Sequence, residues 1–280
     1  MEDKIGIAFI TCNREEFLKQ SVESFQSDIK ELENASVIIV NDGKPLHNKF
    51  DNVTNNKKNL GVGKTKNIAL KKLYEQGCEH IFIIEDDIIK RVGCNINVFK
   101  EYIRYSKTTG IQHFMFGYHG PANKGNISKG SPLPRLVFEY SDDVRVLLNL
   151  HCVGAFCYYS AKCLNAVGFM DEEYNNAFEH VDHSYMIAKA DMIPGYWWWP
   201  DIDKSYEILD EIQCSEESST IRPRKDWKEN ILKGAEYFYK KHGYRPAWDN
   251  YVPDQSDQKV KEKLINIFEK YSVDLNLYRD

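Results

Sequence analysis

Three consecutive carboxylates, Glu85-Asp86-Asp87, follow the apolar run at 81–84. Neighbouring charges repel by a few kcal/mol at an effective dielectric of about 20. A solvated turn tolerates that cost, and so does a bound divalent cation. Hard cations such as Mg²⁺ or Mn²⁺ take one or two carboxylates and complete their shell with diphosphate oxygens. The plainer alternative is an acidic turn at a strand end. A second cluster, Glu179-His180-Val181-Asp182-His183, holds what acid–base chemistry needs: carboxylates that can orient or accept, and imidazoles that take a proton near neutral pH. Its alternatives are a helix start capped by its own polar residues, or a zinc site from His180, Asp182 and His183 with no distant ligand to complete it.

Three further segments suggest chemistry less directly. Gly61-Val62-Gly63-Lys64-Thr65 has the ending of a phosphate-binding P-loop, but Lys58 stands where that loop needs its first glycine. Lys66 stands where a dinucleotide fingerprint needs its third, so both motifs fail. Trp197-Trp198-Trp199 could offer a sugar-stacking face, although neighbours on a strand point opposite ways and at least one must be structural. The polar stretch 216–222 could close over an anion, with Arg222 or Arg224 as the cationic clamp.

The elements that must position these groups can be read from periodicity. Runs at 5–10, 37–40 and 80–84 are nearly all apolar, while 14–29 and 62–74 carry apolar residues at helical spacing. Strand–helix–strand alternation with fully buried strands implies a mostly parallel sheet flanked by helices. Ligands in such sheets sit beyond the carboxyl ends of the strands, where both Asn41-Asp42-Gly43 and the acidic turn fall. A Gly-, Ser- and Lys-rich loop is expected over 119–134, strands over 136–140, 144–150 and 153–159, helices over 161–167 and 180–190, and two closing helices over 226–241 and 256–271.

Composition narrows the class. The chain of 280 residues carries 37 Lys and Arg against 42 Asp and Glu, a net charge of −5, which argues against a nucleic-acid partner. A hydrophobic content of 42% supplies a core and argues against disorder. No apolar run approaches the roughly 20 residues that span a bilayer, leaving at most peripheral membrane association. The six apolar residues at 5–10 are too few for a signal-peptide core, so a cytoplasmic location is expected. Seven cysteines without a C-x-x-C pair read as reduced thiols rather than disulfides or a structural zinc site.

The segments Ile7-Ala8-Phe9-Ile10-Thr11-Cys12-Asn13-Arg14, Val37-Ile38-Ile39-Val40-Asn41-Asp42-Gly43, Asn59-Leu60-Gly61-Val62-Gly63-Lys64-Thr65-Lys66-Asn67 and Ile83-Ile84-Glu85-Asp86-Asp87 come in this order. Gly154-Ala155-Phe156, Val167-Gly168-Phe169-Met170-Asp171-Glu172 and Glu179-His180-Val181-Asp182 follow. Together they resemble family 2 of the glycosyltransferases over about residues 5–200. The resemblance implies a GT-A fold: a Rossmann-like mixed, mostly parallel sheet flanked by helices, here with a C-terminal helical extension. It divides the chain into a nucleotide-sugar-binding half at 1–118, an acceptor-binding half at 119–222 and the extension at 223–280.

Carried over residue by residue, the resemblance puts Thr11, Arg14, Asp42 and Lys64 around the uracil and ribose of a UDP-sugar, with Asp42 accepting from the base N3–H. Asn41 replaces the first acid of the family's pair, and Lys64 or Lys66 stands near its basic position. Asp87 would bind Mn²⁺ or Mg²⁺ directly, with Glu85 and Asp86 facing the ribose and the metal's water shell. The Glu-Asp-Asp form also resembles the turn of some N-acetylhexosaminyltransferases. His180 falls in the slot of the general base; Asp182, two residues on, is expected to be the essential group, as the base itself or as the partner that orients His180, with His180 as base or acceptor contact, and Glu179 belongs to the same site. The implied activity is inverting transfer from a UDP-sugar to a glycan or lipid-linked oligosaccharide hydroxyl, in surface polysaccharide synthesis. The rivals are a nucleotidyltransferase making nucleotide sugars, and a non-catalytic glycan-binding or scaffold subunit.

Overall fold

The structure is a computed structural model, described here over residues 3–120, 123–126, 131–132, 136–149, 151–193, 199–213 and 219–243. The first apolar run forms β1 (Ile5–Thr11), buried from Gly6 onward. The chain continues through α1 (Glu15–Lys30) to β2 (Ala35–Asn41), parallel to β1 with Thr11 opposite Asn41. A short edge strand, β3 (Val53–Asn55), pairs parallel with β2. After α2 (Val62–Glu75), β4 (His80–Glu85) joins the other side of β1, with Ile10 opposite Glu85. That register brings the end of the first strand beside the acidic turn.

Next come β5 (Ile88–Lys90), α3 (Val98–Thr109) and β6 (His113–Met115). Periodicity alone assigns no element to this stretch, although α3 is bounded by a capping Asn97, whose side chain accepts from Lys100 N, and by Gly110 at φ 76°. The expected loop over 119–134 contains a small antiparallel pair, β7 (Lys124–Asn126) with β8 (Ser131–Pro132), too short to leave an alternation in the sequence. Then follow β9 (Leu136–Ser141), β10 (Val144–Asn149), β11 (Phe156–Ser160), α4 (Ala161–Val167), α5 (Glu179–Lys189), β12 (Trp199–Ile202), α6 (Ser205–Ile208), β13 (Leu209–Glu211) and α7 (Trp227–His242). The expected final helix over 256–271 lies outside the described residues.

The main sheet runs β3-β2-β1-β4-β11-β6, with the first four strands parallel and β11 antiparallel to both its neighbours. This is the mixed, mostly parallel sheet flanked by helices that the alternation implied. A second sheet, β12-β10-β9, buries Trp199 at 4% exposure, so that indole is core rather than sugar platform. Trp197 and Trp198 lie outside the described residues. Between sheet and α3, Phe82 meets Phe99 edge-on at 4.9 Å and also contacts Tyr102, Phe156 and Tyr158. Among the described residues no helix is long and apolar enough to cross a membrane.

Two buried carboxylates tie the outer elements to this frame. Asp28 on α1 pairs with Lys90 on β5 and accepts from Val98 N at the start of α3. Asp182 on α5 accepts from Tyr174 Oη at 3.0 Å, Lys241 Nζ at 2.9 Å and His242 Nε2 at 2.6 Å, which fastens the end of α7. Removing one partner of a buried ionic cluster costs about 3–5 kcal/mol. Asp182→Ala is therefore expected to lower unfolding free energy by about 3 kcal/mol and to speed amide exchange in α7 before the sheet opens. Urea titration and hydrogen exchange measure both. A variant of unchanged stability and protection would show that α7 is held by its apolar face alone.

Candidate active site

The carboxyl ends of β1, β2 and β4 open into a cavity of about 1030 Å³. Its walls include Thr11, Arg14, Asp42, Glu85, Asp86 and Asp87 from the strand ends, with His119, Glu179, His180 and Arg222 from the later part of the chain. Both acidic clusters of the sequence thus reach one space.

The three carboxylates of the turn have different surroundings. Glu85 pairs with Lys66 Nζ at 2.6 Å and stays a quarter exposed. Asp86 is buried, accepts from Thr11 Oγ1 at 2.6 Å and pairs with Arg14. Burial dominates there and pushes its carboxyl up to about 7, although Arg14 pulls the other way. Asp87 Oδ2 accepts from Arg14 at 3.0 Å, while Oδ1 is buried without a hydrogen-bond partner. Burial would raise Asp87 as well, but His119 and Arg14 outweigh it and hold the carboxyl at about 2. His119 in turn is pushed up by Asp87 and Glu211 against the opposite pull of burial.

Lys66 is the basic residue that reaches the centre of the site. Its ammonium is buried, donates to the Gly154 carbonyl at 2.8 Å and stays charged, because Glu85 and Glu179 overcome the cost of burial. Lys64 is exposed on α2 and does not line the cavity. The signal for Lys66 was present in the helix itself, since it lies at helical spacing with the buried Ala69, Leu70 and Leu73.

Asp42 is buried and already occupied: Oδ1 accepts from Leu60 N at 2.8 Å and Asn56 Nδ2 at 2.7 Å, and Oδ2 from Gly61 N at 2.9 Å. It therefore braces the entry to α2 as well as lining the cavity. Gly61 holds φ 88°, and a Cβ at Gly63 would stand 3.1 Å from the Glu179 side chain. The two glycines that imitate a phosphate loop serve a left-handed turn and a close approach of α2 to α5.

At the head of α5 the residues separate. Glu179 is buried, its Oε1 lies 3.1 Å from His180 Nδ1, and its Oε2 has no hydrogen-bond partner. Burial would raise its carboxyl, but His180 and Lys66 hold it at about 2. His180 lines the cavity. Asp182 does not, because both its oxygens face α7 and Tyr174. His183 donates from Nε2 to the Gly168 carbonyl at 3.0 Å and is kept neutral by burial. The zinc alternative for His180, Asp182 and His183 therefore fails: a helix points these neighbours in different directions, and no group of three or more His, Cys, Asp or Glu among the described residues could hold a metal by itself. Ser219, Thr220, Arg222 and Arg224 of the expected clamp line the cavity, and residues 214–218 lie outside the described residues. Glu211 was not singled out from sequence; β13 pairs with β5 and sets it opposite Ile88, next to Asp87.

No family model and no curated protein matches the sequence. Solved structures do match. The fold is similar to that of S. aureus TarS, with a TM-score of 0.54 at 13% identity, covering 96% of this chain and 44% of that one. It is also similar to S. aureus TarS 1-349 in complex with UDP-GlcNAc, with a TM-score of 0.51 at 12% identity, covering 96% of this chain and 73% of that one. The chain thus spans less than half the length of the longer TarS chain. Together these likenesses show the fold alone: the mixed, mostly parallel sheet flanked by helices is that of the TarS structures.

The depressed Glu179 carboxyl gives a pH-dependent expectation. Its contribution to stability is fully present above the ordinary value of 4.5 and is lost as pH falls towards about 2. Glu179→Gln should be less stable than the parent at neutral pH. The gap should close by about 1.4 kcal/mol per pH unit once the unfolded chain begins to protonate. Urea midpoints at neutral pH and below 4.5 test this; a gap independent of pH would mean that Glu179 carries a proton in the fold.

Proposed function

We propose that the chain is a glycosyltransferase of the family 2 type. It moves a hexosyl or N-acetylhexosaminyl group from a UDP-sugar to an acceptor hydroxyl with inversion. The acceptor class follows from the resemblance alone: a surface glycan or lipid-linked oligosaccharide. One observation carries the reading: a single cavity at the strand ends unites Asp87, with its unpartnered oxygen, the cations Arg14 and Arg222, and the Glu179–His180 pair.

The donor set fits a divalent cation, because Asp87 Oδ1 is a buried carboxylate oxygen with no hydrogen-bond partner. Asp87 would hold that cation, which supplies charge neutralisation to the leaving diphosphate when bound. Arg14 and Arg222 add cationic character to the cavity wall. Asp42 keeps lone-pair capacity on Oδ2 for a base N–H, and Thr11 and Glu85 line the same cavity, where they would face the ribose. Glu179 stays ionised and engages His180 Nδ1, which leaves Nε2 as the imidazole atom free of that contact. His180 then takes the acceptor proton as the acceptor oxygen forms its bond to the anomeric carbon and the bond to the diphosphate breaks. This assigns the base to His180 and a stabilising role to Asp182.

Thermal-shift titration of UDP with and without Mn²⁺ tests the donor site, because a ligand selective for the folded state raises stability by mass action. UDP with Mn²⁺ should stabilise the parent and lose most of that effect in Asp87→Ala. An Asp87→Ala protein that binds UDP–Mn²⁺ as tightly as the parent would move the metal elsewhere. Transfer assays over a panel of UDP-sugars test the activity. Release of pyrophosphate would instead indicate nucleotidyl transfer, and binding without any transfer a glycan-binding role.

His180→Ala tests the base. Turnover should fall by about 10²–10⁴ with UDP affinity retained. A near-normal rate would place the base outside this pair.

A further inference from the structure

Asp87 and His119 end in atoms that face each other without bonding. His119 Nε2 lies 3.7 Å from Asp87 Oδ1 and 3.6 Å from Glu211 Oε2. A charge-assisted hydrogen bond would draw such atoms to about 2.8 Å. Asp87 Oδ1 and His119 Nε2 are both buried without a hydrogen-bond partner, and the Asp87 side chain is only 6% exposed. Buried polar atoms are paired as a rule, so two unpaired atoms across one gap point to something held between them. An ion bonded to each at roughly 2.1 Å would set them about 3 Å apart at a right angle and about 4 Å apart when opposite. The observed 3.7 Å falls inside that range.

We propose that His119 is a second protein ligand, beside Asp87, of the divalent cation that accompanies the donor diphosphate. The proposal rests on the reading of the cavity as a UDP-sugar site. The fold delivers both groups: β6 leads to His119, and the β5–β13 ladder puts Glu211 opposite Ile88, so all three side chains meet beyond the strand ends. Two protein ligands fill a third of a six-coordinate shell. The remaining positions fall to diphosphate oxygens and water, and Glu211 is within reach to hold one such water. The cation and UDP should therefore bind together, with the metal alone binding weakly. An imidazole in the shell also favours Co²⁺ and Mn²⁺ over Mg²⁺, by the general affinity order and its preference for softer ions.

The competing account is electrostatic only: an imidazolium balancing Asp87 and Glu211, with no ion between them. Electron spin-echo spectroscopy of the full chain with UDP and Mn²⁺ separates the two. Histidine coordination should give a nitrogen modulation that changes on ¹⁵N-histidine labelling and disappears in His119→Gln. Mn²⁺ titrated in the presence of saturating UDP should bind His119→Gln at least about tenfold more weakly, while UDP affinity without metal stays unchanged. A parent Mn²⁺–UDP complex without histidine nitrogen coupling overturns the assignment, and so does a His119→Gln protein with parental Mn²⁺ affinity. The spectrum of the parent decides the matter even if the variant fails to fold. A parent that binds neither UDP nor UDP–Mn²⁺ overturns the donor reading together with this one, whereas binding without histidine coupling removes His119 alone.

Discussion

A single buried ammonium holds the two halves of the cavity in place. Lys66 Nζ meets Glu85 at the end of β4, the carbonyl of Gly154 ahead of β11, and the field of Glu179 at the head of α5. Taking an ammonium out of water costs several kcal/mol and is offset only when its donors all find partners in good geometry. The three elements that supply those partners are therefore fixed relative to one another. Gly154 completes the constraint, because a Cβ there would lie 2.9 Å from His180 Cγ and 3.1 Å from Lys66 Nζ. The same charge reaches the chemistry, since Lys66 helps keep Glu179 ionised and Glu179 is the partner of His180.

The acidic turn depends on a second, local constraint. The β1–β4 register brings Thr11 and Arg14 to Asp86, and Asp86 N donates to the Ile10 carbonyl at 3.0 Å. Two adjacent aspartates are thereby pushed apart in character, one up to about 7 by burial and the other down to about 2 by its cationic neighbours. Divergent environments of neighbouring carboxyls are how a site assigns different roles to the same residue type. Asp86 becomes the anchor of the turn, and Asp87 the group with a charge left to offer.

The sheet, its order of strands and helices at the N-terminal end, and both acidic clusters were legible because each rests on local pattern: buried runs, helical spacing, and carboxylates at strand ends. What escaped was long-range. Helical spacing puts Lys66 rather than Lys64 on the inner face of α2, but the partners that hold it there, Glu85 and the Gly154 carbonyl, come from distant segments. Asp182 has the chemistry of a base, yet its partners Lys241 and His242 are some 60 residues downstream, so nothing nearby marked it as an anchor. His119 belongs to the site through the three-residue strand β6, too short to announce itself by alternation. The stretch containing α3 was readable from its cap and its C-terminal glycine, but its polar surface and proximity to the acidic turn obscured it.

The failed phosphate-loop motif explains why charge in this cavity comes from side chains. A helix N-terminus binds a phosphate through amides that have no other partner. At the entry to α2 three amides are taken: Leu60 N and Gly61 N donate to Asp42, and Val62 N donates to Asn176 Oδ1 at 3.0 Å. Asp42 also brings negative charge to that end of the helix, which opposes an incoming anion. On the proposed reading, a diphosphate in this cavity would draw its compensation mainly from guanidinium groups and a cation at the acidic turn. The turn keeps one oxygen open because Arg14 satisfies only Oδ2 of Asp87 and leaves Oδ1 facing His119 Nε2. Asp42 and the acidic turn thus sit at the ends of β2 and β4, the two strands that flank β1 in the parallel part of the sheet.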